Sequence, residues 1–195
     1  MSDPNEARTA SAQHLPGEAG VWMFIVGDLV IFTLLFAVFL YYRADNVPLF
    51  TESQRTLNQT YGAVNTLLLL SSSWFVALAV QGARIGERLN ALRLIALAFG
   101  CGVGFIGIKY LEYSEKFRAG YNIVTNDFFM YYFLTTGIHL VHVAIGMAVL
   151  AFLWHTTRGG EIDAGKLSTL ESGASFWHLV DILWIALFAL LYMLR

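Results

Sequence analysis

One acid inside an otherwise apolar run constrains this chain more than any other feature. Gly20 to Tyr42 reads GVWMFIVGDLVIFTLLFAVFLYY. At about 23 residues it extends about 34 Å as a helix, enough to cross a bilayer core of about 30 Å. Asp28 lies in its first half. A lone carboxylate at a helix centre costs on the order of 2.5 to 3.5 kcal/mol on insertion scales. A span that keeps one must turn it away from lipid, toward protein or a water-filled cavity, and the rest of the chain has to supply those neighbours.

Composition agrees with a chain built for lipid. It is 57% hydrophobic and only 13% charged, against about 25% charged in a soluble domain, and its mean hydropathy is +0.59. The expected fold class is all-α, a polytopic membrane bundle of five transmembrane helices spanning about 20–42, 61–80, 92–113, 128–154 and 176–194. Residues 1–19 read as a polar amino-terminal tail and 20–195 as a single transmembrane domain. The first apolar run is too long for a cleaved signal peptide. A net charge of −2 provides no basic stripe and excludes nucleic acid as a partner. The single Cys101 lies within an apolar span, which excludes an internal disulfide or a Cys-based metal framework.

An odd number of spans places the two ends on opposite sides. Arg8, Arg84, Arg88, Arg93, Arg158 and Lys166 fall on the amino-terminal side, and Arg43, Arg55, Lys109, Lys116, Arg118 and Arg195 on the other. This even split leaves the positive-inside rule undecided, although the tight Arg84/Arg88/Arg93 group favours a cytoplasmic amino terminus. No internal repeat stands out, which counts against a secondary transporter.

Several side chains invite a chemical reading. Asp28 is either a proton-handling carboxyl, since intramembrane acids mark ion paths, or a hydrogen-bonded acid that locks helix packing. His139 and His142, three apart, share one broad side of the fourth span. Ligation would need partners at matching depth on another helix, and His14, His155 and His178 do not offer them, so interhelical hydrogen bonding is expected instead. Glu112 is expected to pair with Lys116, four residues on, with Lys109 also one turn away. Glu115 and Lys116 read as a solvated helix end. His178 and Asp181 share a face, where Asp181 needs a donor from His178 or a neighbouring helix. The glycines of GCGVGFIG, from Gly100, read as helix packing, with Gly100 and Gly104 as the close-approach pair. No nucleophile–base arrangement, phosphate loop or closed metal set emerges, so the chain alone is not expected to be a catalyst.

Five of these stretches also resemble a known family in order and spacing. ESGASFWHLVDILWIALFALLY from Glu171 is similar to the closing helix of subunit III of haem-copper cytochrome c and quinol oxidases, and TGIHLVHVAIG from Thr136 to its preceding signature. VNTLLLLSSS from Val64, YLEYSEKF from Tyr110 and WMFIVGDLVIF from Trp22 match the earlier helices. Many members carry Glu where this chain has Asp28. The short chain and its Gly27–Asp28 pair look more like the NorE type, associated with nitric oxide reductase.

The resemblance implies a non-catalytic accessory subunit that binds no haem or metal itself. It implies packing against a catalytic subunit I, of an oxidase or a nitric oxide reductase, that carries haem with copper or non-haem iron. Bound phospholipid, a bacterial inner membrane, a cytoplasmic amino terminus and a periplasmic carboxyl terminus come with it. Asp28 would be the family acid near the proton-uptake side. Glu112, His139, His142, His178 and Asp181 would be polar positions within the bundle. Two alternatives stand beside this reading: a freestanding ion or proton channel using Asp28, Glu112 and Asp181, and a small membrane haem protein using His139 or His142.

Overall fold

The computed structural model describes residues 19–194. Most of the expected tail, with Arg8 and His14, and also Arg195, lie outside the described residues. The elements are α1 (Ala19–Asp45), α2 (Val47–Arg55), α3 (Gln59–Arg84), α4 (Arg88–Arg118), α5 (Asp127–Arg158) and α6 (Ala164–Phe188), followed by a π-helical turn at Ala189–Met193. All but α2 are long and apolar enough to cross a membrane. The chain is an all-α polytopic membrane bundle, with no strand among the described residues.

Helix boundaries follow capping chemistry more than hydropathy. Asn46, Asn58, Asn126 and Asp163 precede α2, α3, α5 and α6, and each side-chain oxygen accepts a backbone N–H of the first turn. Such a cap contributes about 1 kcal/mol. Asp163 therefore starts α6 at Ala164, well before the apolar run at Phe176. Gly86 and Gly120, with φ of 80° and 85°, follow α3 and α4 in the left-handed region that lets a chain leave a helix sharply. The polar link after the first span folds as the short helix α2, with Phe50 fully buried on its inner face.

Helices α3 to α6 form a closed ring, in which α3 packs on α4 and α6, and α5 on the same two. α1 rests outside it, against α5 and α6. The contrast is large: 56% of the apolar window of α6 is buried, against 22% for α1. Trp177 of α6 shows how closely the ring is packed. A Cβ at Gly146 of α5 would stand 2.6 Å from its ring, and one at Gly102 of α4 would strike Met147 and the same indole. Gly100, expected from the sequence to make a close approach, faces open space. The tight glycine of that segment is Gly102, because it is on the inward face of α4.

Candidate functional site

The acid of α1 meets a histidine of α5. Asp28 is 7% exposed, and its Oδ2 is 3.1 Å from His142 Nε2. His142 Nδ1 is 2.8 Å from the Ile138 carbonyl one turn back. A carbonyl can only accept, so Nδ1 carries a hydrogen, and a neutral His142 then presents Nε2 as an acceptor. Two acceptors at this distance repel unless a proton lies between them. A proton on either group would turn this contact into a charge-assisted or neutral hydrogen bond across α1 and α5. The approach is close without being well directed, since Oδ2 makes no aligned hydrogen bond. The Phe32 ring meets the imidazole edge-on at 5.5 Å. On its other side Asp28 borders a shallow groove of about 440 Å³ on α1, with Gly20, Met23, Phe24, Gly27 and Ile31.

A second polar centre lies inside the ring. Lys109 and Glu112 of α4 are 2% and 0% exposed and pair at 2.8 Å. Tyr192, in the π-helical turn, donates its hydroxyl to Glu112 Oε1 at 2.5 Å and accepts from Lys109 Nζ at 3.0 Å. The ammonium also lies 4.8 Å from the Trp184 ring centre and 5.3 Å from that of Tyr132. Aromatic faces stabilise a desolvated cation by about 2 kcal/mol, so the rings stand in for the water this charge has lost.

This geometry corrects the expected Glu112–Lys116 pair. Lys116 is 3% exposed and donates instead to the Thr56 carbonyl between α2 and α3. It is no solvated helix end, whereas Glu115 is exposed as expected. The sequence could not show that the turn after α2 comes beside Lys116 near the end of α4.

The histidines part company. His142 reaches α1, but His139 faces the core, fully buried, and neither of its nitrogens has a hydrogen-bond partner. Its ring packs between Phe105 at 5.7 Å and Trp184 at 5.4 Å, so the expected interhelical hydrogen bond of His139 does not form. His178 Nδ1 contacts Ser73 Oγ of α3 at 2.5 Å, and His178 is not the donor Asp181 was expected to find. Ser73 also faces Asp181, but neither Asp181 oxygen makes a hydrogen bond of good geometry. Among the described residues, no three His, Cys, Asp or Glu side chains converge as a metal site.

Sequence reasoning missed Tyr192, Gln54 and Gln59. The π-helical turn leaves carbonyls without helical partners, and Gln54 Nε2 donates to those of Leu190 and Leu191 at 3.1 and 3.2 Å, while Gln59 donates to that of Tyr192 at 2.7 Å. Only the two amide side chains beside an apolar span hinted at this clamp.

The match to known proteins covers nearly the whole chain. The family described as cytochrome c oxidase subunit III matches residues 9–195. Cytochrome c oxidase subunit 3 of Synechocystis sp. is 27% identical over 197 residues, covering 94% of this chain and 83% of that protein. The subunit of the same name from Thermostichus vulcanus is 29% identical, covering 90% and 86%. Cytochrome bo(3) ubiquinol oxidase subunit 3 of Pseudomonas aeruginosa is 28% identical, covering 90% and 83%. Five membrane helices in the expected order and a family match across them lead to one conclusion: this chain belongs to the cytochrome c oxidase subunit III family.

Proposed function

We propose that this protein serves as the non-catalytic subunit III of a haem-copper oxidase, where it steadies catalytic subunit I and tunes proton access through the Asp28–His142 pair. The observation that carries the reading is the 3.1 Å approach of Asp28 to His142, set on the least buried span and beside a groove on its outer face. A proton held there exchanges at the edge of the bundle, where a neighbouring subunit or lipid meets α1. Haem and copper belong to the partner in this reading, and phospholipid fills gaps along the apolar faces. The complex lies in a bacterial inner membrane, with the amino terminus cytoplasmic and the carboxyl terminus periplasmic.

The NorE-type reading, with a nitric oxide reductase carrying non-haem iron as partner, keeps one observation in its favour, the Gly27–Asp28 pair in place of the Glu that many members carry. Gentle purification through a tag on this chain, followed by identification of the co-purifying subunits and their haem spectrum, separates the two. An oxidase core is the expected result, and a reductase core moves the protein to the other branch. A Soret band in the isolated subunit, or ion flux from it in liposomes, would overturn the accessory role.

A further inference from the structure

We propose that the cleft between α3 and α6 is a water-filled entry, open at the end of the bundle where α1 begins, that serves Asp181 as a second exchangeable carboxyl. Four observations converge on it. Glu171, Ala174, His178 and Asp181 recur every three or four residues and so form one stripe along α6, with Ser175 beside it. Arg84, Val80, Ala77 and Ser73 run in the opposite direction on α3 to face it.

The mouth is charged and open. Arg84, with a side chain 55% exposed, pairs with Glu171 at 2.9 Å. Behind it lies a cleft of about 250 Å³ lined by Ala77, Val80, Ala174, Ser175 and His178. It is wide because Ala77 and Ala174 are small, and a water molecule needs about 30 Å³. The cleft closes on the His178–Ser73 contact at 2.5 Å, and Asp181 stands just beyond it.

Asp181 supplies the reason for water. It is 3% exposed, and beside Ser73 neither of its oxygens makes a hydrogen bond of good geometry. A buried carboxyl left dry costs several kcal/mol, and buried polar groups in folded proteins find protein or water partners. From Glu171 to Asp181 is about 15 Å along the helix, roughly half the bilayer core. The ligands are therefore water and the proton, delivered from one side only. Hydroxyl and imidazole at the inner end both donate and accept, so they can pass a proton between the cleft and the carboxyl. This entry is separate from the Asp28–His142 pair, which faces α1 rather than α3.

Cysteine accessibility tests it in the tagged complex reconstituted in sealed vesicles of known orientation. In a Cys101→Ser background, Ala77→Cys and Ala174→Cys probe the cleft, Ser73→Cys its inner end, and Leu70→Cys a lipid-exposed site on α3. The probes are a charged, membrane-impermeant thiol reagent and, for Ser73→Cys, silver ion, whose size is near that of water. Labelling is read by mass after denaturation. Ala77→Cys and Ala174→Cys should react from the side where α1 begins, at least tenfold faster than Leu70→Cys. Ser73→Cys should be protected by silver from that side alone. Rates equal to Leu70→Cys at both cleft positions, or reaction of Ser73→Cys from both sides, would overturn the proposal.

Discussion

Asp28 Oδ2 faces His142 Nε2 at 3.1 Å while the opposite imidazole nitrogen is committed to the Ile138 carbonyl at 2.8 Å. That commitment places the hydrogen on Nδ1 and turns Nε2 toward the acid. It also joins the loosely held α1 to the ring of four helices, as a polar link between α1 and α5.

Replacing Asp28 separates packing from proton exchange. Asp28→Asn can donate its amide to Nε2 and preserve the contact without an exchangeable acid. Asp28→Leu leaves Nε2 facing an apolar group, at a cost of about 1 to 3 kcal/mol. We expect both variants to assemble, with only Leu lowering thermal stability in detergent, and both to shorten the time over which turnover is sustained. Oxygen consumption followed to exhaustion measures this. Decay at the parental rate in both would reduce the pair to a packing contact.

The Lys109–Glu112 pair should respond asymmetrically. Lys109→Met alone leaves Glu112 buried with only Tyr192 as donor, and Glu112→Gln leaves an unneutralised ammonium. Breaking a buried pair from one side costs about 3 to 5 kcal/mol, whereas replacing both partners with apolar residues is often close to neutral. Single variants should therefore unfold well below the double variant Lys109→Met/Glu112→Leu. Thermal melts followed by tryptophan fluorescence decide it, and a double variant as unstable as the worse single one would refute the account.

His139 makes no hydrogen bond and touches aromatic rings. His139→Phe keeps the ring and removes two polar atoms whose burial is uncompensated, so stability should stay level or rise by about 1 kcal/mol. Loss of the fold, or of haem from the purified complex, would show that His139 does more than fill space.

Glycine positions should split by the face they occupy. Gly146→Val drives a side chain into Trp177, and overpacking of this kind costs about 1 to 3 kcal/mol or more. Gly100→Ala enters open space and should be silent. Assembly yield and melting temperature compare the two directly.

The Asp28 span and the apolar runs were legible from the chain because hydropathy alone selects the membrane helices. Which partner a buried polar side chain takes was not legible. Glu112 has Lys109 and Lys116 within helical reach, and the turn after α2 draws Lys116 away to the Thr56 carbonyl. His139 and His142 differ by under one turn, yet one meets Trp184 and the other Asp28, because α5 lies between the ring core and α1.

By itself, the sequence determined that this protein has five apolar spans, carries an acid it must hide and belongs with the oxidase subunit III family, since length, hydropathy and motif order suffice for that. Tertiary structure alone decided which histidine faces the acid, that Tyr192 and three further aromatic rings enclose Lys109, and that Asp181 is buried beside Ser73 with neither oxygen well hydrogen-bonded. Helical spacing tells which side chains share a face; only the packing of whole helices sets what that face meets.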